Sequence, residues 1–161
     1  MYGTQAERLA CVTKQPVSSG MVKHVLLYDG VCGFCQKSIQ FVLPRDPDDR
    51  FRFAALQSGV GKQLLLRHGI TLTTLDTVYV LADADTARER VLSRSDAGLF
   101  VLGNLRGLWR LAGLLRVVPR FIRDRVYDAF AKRRYRWFGK TDTCLVPAPN
   151  ERAKFLDANF G

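Results

Sequence analysis

The stretch Val25-Leu26-Leu27-Tyr28-Asp29-Gly30-Val31-Cys32-Gly33-Phe34-Cys35 decides how the rest of the chain is read. Its first four residues are continuously apolar, as in a strand buried on both faces. Asp29-Gly30 is a breaker pair. From Cys32 to Leu43 the period turns helical. Cys35, Ile39, Val42 and Leu43 share one face, and Gln36, Lys37 and Gln40 share the other. Pro44 and Pro47 close the helix. A buried strand therefore runs almost directly into a helix whose first turn holds two cysteines.

Downstream, Phe51 to Leu56 alternates, with Phe51, Phe53 and Ala55 on one side and Arg50 and Arg52 on the other, which predicts a half-exposed strand. Ser58 to His68 reads as a short helix ended by Gly69. Thr77 to Ala82 is a second fully apolar strand, Asp83-Ala84-Asp85 a turn, and Arg88 to Leu92 a strand carrying charge. Ser95 is the expected N-cap of a helix from about Asp96. The order β-α-β-α-β-β-α argues for an α/β layer. Strands apolar on both faces belong in the centre and charged ones at the edges, so the sheet order 2-1-3-4 follows, with the last pair an antiparallel hairpin. That is a thioredoxin-like core.

Past Gly103 the character changes. Leu105 to Val118 and Arg120 to Phe138 read as two helices separated at Pro119, the second with an apolar stripe of Ile122, Val126, Ala129, Phe130 and Trp137. The expected organisation is a loose leader (1–22), a thioredoxin-like core (23–103), a basic helical extension packed on it (104–140) and an irregular tail (141–161).

Composition bounds the function. Of 161 residues, 47% are apolar and 25% charged, enough to bury a core and unlike a disordered chain. Four cysteines are far too few for a disulfide-stapled scaffold. No apolar run reaches the roughly 18 residues of a membrane span. The amino end lacks the apolar core of an export signal, so a reducing cytoplasm is the expected compartment. There a close cysteine pair points to redox or metal chemistry rather than a structural crosslink.

Cysteines at i and i+3 on a first turn lie on the same side of a helix, with Cα atoms at about 5–5.5 Å, inside the roughly 4.4–6.8 Å a disulfide accepts. Unpaired N–H groups and the positive dipole end stabilise a thiolate there. Cys32 is the expected nucleophile and Cys35 the resolving thiol that releases a mixed disulfide. The uncharged Gly33 and Phe34 predict moderate acidification of Cys32. Asp29 reads either as a proton acceptor for Cys35 or as a turn or N-cap residue. The competing reading is a non-catalytic binding module whose cysteine pair holds metal or packs. Zinc usually needs two such pairs, whereas Cys11 and Cys144 stand alone, His24 is expected to be solvated, and His68 closes a helix.

Asp29, Cys32 and Cys35 form an Asp-x-x-Cys-x-x-Cys signature that resembles the DCC family of thiol-disulfide oxidoreductases. Phe53-Ala54-Ala55-Leu56-Gln57, Asp76-Thr77-Val78, Ser95-Asp96-Ala97, the run Pro119 to Lys140 and Cys144 are also similar to it. The resemblance covers about residues 24 to 155. It implies a thioredoxin-like, mostly bacterial oxidoreductase needing no bound cofactor. Its partners would be a protein or small-molecule disulfide and a thiol electron donor. Thioredoxins place a cis-proline opposite the cysteines; here Leu75-Asp76-Thr77 occupies that place, and Thr77 is a candidate to face the pair instead.

Between Gly103 and Lys140, eleven basic residues face only Asp124 and Asp128, which accounts for nearly all of the net charge of +10. The plain reading is a solvated face with its aromatics buried, paired along the surface as Arg120–Asp124 and Asp128–Lys132. An anionic membrane or protein surface is the sharper alternative. No RNA- or DNA-reading motif accompanies the charge, which disfavours nucleic acid.

Overall fold

The computed structural model describes residues 24–72, 77–140 and 148–157. Strands β1 (His24–Tyr28), β2 (Phe51–Ala55), β3 (Tyr79–Ala82) and β4 (Arg90–Ser93) form one sheet in the order β2-β1-β3-β4. β1 pairs parallel to β2 and antiparallel to β3, and β3 pairs antiparallel to β4. The thioredoxin-like order expected from strand polarity is the one adopted.

Helix α1 (Gly33–Val42) follows β1, α2 (Gly59–Leu66) follows β2, and α3 (Arg94–Asn104) follows β4. Alternation along β1 feeds two cores. Leu26 and Tyr28 pack with Ile39 and Val42 of α1 and with Ala97 and Phe100 of α3. Val25 and Leu27 pack on the opposite face with Leu65 of α2. Helices thus cover both faces, and β1 is buried along its whole length, as its apolar run requires.

Several local expectations are corrected. The cap of α3 is Ser93. Ser95 lies inside the helix and donates from its hydroxyl to Asp124 at 2.5 Å. Residues Gly107–Val117 form a 3-10 helix rather than an α-helix. Gly107 enters it at φ +87°, and Gly113 further weakens α-helical propensity. His24 is buried rather than solvated. It packs edge-on to Phe100, and its Nδ1 accepts from the Asp83 N–H at 3.2 Å. β2 is less exposed than its alternation suggests, because residues 155–157 lie along it. Leu156 N–H donates to the Phe53 carbonyl, and Ala55 N–H donates to Asp157 at 2.6 Å.

The last helix, α4 (Arg120–Phe138), spans the residues expected for it but is turned about its axis. Ile122, Val126 and Trp137 are exposed, and the buried positions are Ala131 and Arg134. The physical reason is electrostatic. A buried carboxylate beneath the helix demands a cation, and Arg134 supplies it. The first turn of α4 is tied to α3 through Arg123 and Asp96 at 2.9 Å. Asp128 pairs with Arg94 rather than Lys132, while Arg120–Asp124 forms as expected. Among the described residues, no helix is long and apolar enough to cross a membrane.

Candidate active site: a dithiol under the last helix

Cys32 is the N-cap of α1, and its Sγ accepts from the Cys35 N–H at 3.4 Å. A cap normally uses a side-chain oxygen; here sulfur fills that place and takes up an otherwise orphaned donor. Cys35 lies one turn deeper. Both are free thiols. The cysteine pair therefore stands at the start of α1, where the spacing predicts it. Cys32 is fully buried and Cys35 only partly so.

The two thiols have opposite acidities. The Cys32 thiol is lowered to about 6, mainly by its side-chain hydrogen bond with Cys35 and against the effect of burial. The Cys35 backbone N–H and the Arg134 charge add to the lowering. Cys35 is pushed well above the usual thiol range by that same bond and by burial. The shared proton is thus favoured on Cys35 over Cys32. Cys32 is acidified as expected, but with help from an arginine about a hundred residues away.

Asp29 is almost fully buried. Its Oδ1 accepts from the Val31 N–H at 3.1 Å and from Gln57 Nε2 at 2.7 Å. Its Oδ2 pairs with Arg134 at 3.1 Å and takes the Tyr135 hydroxyl. Of the two readings of Asp29, the turn geometry is present through Val31, while the helix cap belongs to Cys32. Gln57 also accepts from the Gly30 N–H at 3.0 Å, which fixes the loop between β1 and α1. Burial works against the Arg134 charge, but contacts with Tyr135 and the thiols outweigh it and raise its pKa. Tyr135 is pushed up to about 12, by burial first and then by its bond to Asp29. It stays protonated and donates.

The end of α4 lies over the dithiol. Gly33 N–H donates to the Gly139 carbonyl at 3.4 Å, and Cys32 pairs with Lys140 in an isolated bridge. Phe34 packs against Phe130 and Phe138 at 4.8 and 5.0 Å. A Cβ on residue 33 would meet the Phe138 carbonyl oxygen at 2.6 Å, so glycine is required there. Leu75 and Asp76 lie outside the described residues, as do Cys11 and Cys144. Thr77 is partly buried, and the next backbone N–H, that of Val78, donates to the Tyr127 hydroxyl at 3.1 Å. Among the described residues, no three His, Cys, Asp or Glu side chains group as a metal site.

Sequence reasoning missed Tyr127, Arg134 and Tyr135. Their signal was present: Tyr127, Ala131, Arg134 and Phe138 follow the i, i+4, i+7, i+11 spacing of one helix face. An arginine on that face reads as solvent-facing unless a buried acid is known to lie opposite.

A dithiol in the first turn of the helix after the central strand of a 2-1-3-4 sheet defines a thioredoxin-like protein. More particularly, the chain belongs to the DCC1-like thiol-disulfide oxidoreductase family, which it matches over residues 26–140. It is 40% identical over 139 residues to the uncharacterized protein YuxK of Bacillus subtilis, covering 86% of this chain and 98% of that protein. It is 37% identical over 121 residues to a chloroplastic DCC family protein of Arabidopsis thaliana, covering 74% and 67% respectively. No solved structure matches the chain significantly.

Proposed function

We propose that this protein exchanges disulfides for thiols through Cys32 and Cys35. The observation that carries the reading is geometric: two free thiols stand one turn apart at the start of α1, with Cys32 as the N-cap accepting from the Cys35 N–H at 3.4 Å. The lowered Cys32 and raised Cys35 acidities agree with it. The Cys32 thiolate attacks a substrate disulfide, forms a mixed disulfide and expels the first substrate thiolate. Cys35 then gives its proton to that departing thiolate and attacks the Cys32 sulfur. The intramolecular disulfide forms and the second substrate thiolate leaves. The substrate is reduced by two electrons and the pair is oxidised by two. A separate thiol donor returns the pair to the dithiol. The substrate is a protein or small-molecule disulfide, and the chemistry needs no bound cofactor.

In this scheme Asp29 is a positioning residue. An ionised carboxylate offers about four lone-pair sites, and Val31, Gln57, Arg134 and Tyr135 supply four donors. Taking the Cys35 proton would require one of them to leave. Asp29 instead anchors Arg134 beside the thiols. Cys32 is fully buried, and residues 138–140 lie against the start of α1, so a substrate reaches the sulfur when that cover moves.

That burial also favours the competing reading, a binding module with packed cysteines. Titration with dithiothreitol and glutathione buffers, counting alkylatable thiols, separates the two. A reversible Cys32–Cys35 disulfide is expected; its failure to form at any poise removes the oxidoreductase reading. Cys32→Ser is expected to abolish disulfide reduction, and Cys35→Ser to prolong the trapped mixed disulfide.

A further inference from the structure

A 3-10 helix has about three residues per turn, so side chains at i and i+3 eclipse. In Gly107–Val117 this places Leu108, Leu111, Leu114 and Val117 in a single row. All four are exposed, by 82%, 58%, 68% and 86%. Immediately after Pro119, Phe121 and Ile122 add 70% and 44% exposure. The next row of the same helix alternates glycine and arginine: Gly107, Arg110, Gly113, Arg116. Arg106 and Arg120 stand at its two ends, with side chains 72% and 63% exposed. No acidic residue occurs between Asp96 and Asp124. This is an aliphatic ridge, roughly 20 Å long at the 3-10 rise, flanked by Arg110 and Arg116, while Arg106 and Arg120 at its ends are paired with Asp48 and with Asp96 and Asp124.

We infer that this ridge docks the protein on the surface of an anionic phospholipid bilayer. The charge pattern selects the occupant. A bilayer presents anionic headgroups directly above an apolar interior, which matches arginines beside an aliphatic row. The glycine–arginine row itself carries no acidic residue, so a second copy docked two-fold on it would bring Arg110 and Arg116 against their own counterparts. Among the described residues no helix is long and apolar enough to cross a membrane. Trp109 lies between the apolar core and the ridge, its ring edge against Phe41 at 4.8 Å and its surface 43% exposed. It thus has the amphipathic placement of an interfacial anchor.

Co-sedimentation of the full chain with vesicles tests this. Vesicles of equimolar phosphatidylcholine and phosphatidylglycerol are compared with pure phosphatidylcholine, at low and high salt. Binding to the anionic vesicles alone, weakened by salt, is expected. Arg110→Gln and Arg116→Gln each weaken it about fivefold. Leu111→Ser with Leu114→Ser abolishes it, while circular dichroism and the thiol–disulfide titration stay as in the parent. Equal binding to both vesicle types, or binding indifferent to these substitutions, overturns the inference. So does self-association by analytical ultracentrifugation that the leucine variant abolishes, because the ridge would then be a protein interface.

Discussion

Arg134, on the last helix, lies 3.1 Å from Asp29, in the loop that delivers the chain to Cys32, and both side chains are almost completely buried. The pair joins residues more than a hundred positions apart and sets the charge beneath the dithiol. Removing one partner strands the other without compensation. Arg134→Gln is expected to lower stability by about 3–5 kcal/mol, the range for breaking a buried ion pair from one side. Asp29→Asn keeps one acceptor oxygen for the Val31 and Gln57 donors but turns an NH2 toward Arg134 and Tyr135, and it leaves the buried guanidinium without a counterion, so a loss in the same range is expected. Equilibrium unfolding in urea measures both; negligible losses would contradict the buried-pair account.

The acidity of Cys32 has a ranked set of causes, and the ranking is testable. Ultraviolet thiolate absorbance of the reduced protein is expected to rise with pH through a midpoint near 6. Cys35→Ala removes the largest contribution and is expected to move that midpoint upward furthest. Arg134→Gln removes a smaller one, a shift of about one unit or less. Reversal of this order would show that charge, not the sulfur–sulfur hydrogen bond, holds the thiolate.

Stability follows the same titration. The folded Cys32 pKa lies below that of an unfolded thiol, about 8.5. Between these values the unfolded chain binds more protons, so stability rises with pH. The contribution of Cys32 is fully present above the unfolded value and is lost as pH falls through about 6. Denaturant midpoints of the reduced protein and of Cys32→Ser, compared across this window, report it. A constant difference between the two would argue against a depressed thiol.

What was legible in the sequence depended on local pattern. Apolar runs at Val25–Tyr28 and at Thr77–Ala82 placed two strands centrally, and the charges in Phe51–Leu56 and Arg88–Leu92 placed two at the edges. The cysteine spacing placed the dithiol on a helical turn. What escaped depended on distant partners. His24 looks polar in sequence and becomes core only because Phe51 and Phe100 surround it. Arg134 looks like one more surface cation in Arg133-Arg134-Tyr135-Arg136, and only Asp29 beneath it turns it inward. Helical period alone cannot choose between two candidate faces when the buried one carries a charge.

Phe155 sits 6% exposed against Phe53, with ring centroids 5.3 Å apart, and its segment follows the edge of β2. Phe155→Ala removes a large side chain from the core shared by β1 and α1. A loss of about 3–5 kcal/mol is expected, read as a lowered urea midpoint with the thiol titration of Cys32 unchanged. If the midpoint does not move, residues 155–157 contribute no packing energy.

Gly33 gives the most direct test of how Cys32 is covered. In a helix interior, glycine to alanine ordinarily stabilises by about 1 kcal/mol. Here the added Cβ would lie 2.6 Å from the Phe138 carbonyl oxygen, a backbone atom that cannot swing aside as a side chain would. One of the two segments must yield. α1 is held by its core face, through Ile39 and Val42, whereas residues 139–140 touch it through the Gly33–Gly139 hydrogen bond and the Cys32–Lys140 bridge. Gly33→Ala is therefore expected to lift the end of α4 and expose Cys32. The alkylation rate of Cys32 in the folded protein should rise severalfold, and its thiolate midpoint should move downward from about 6, because burial raises it. An unchanged rate would mean that residues 138–140 do not control access to the sulfur.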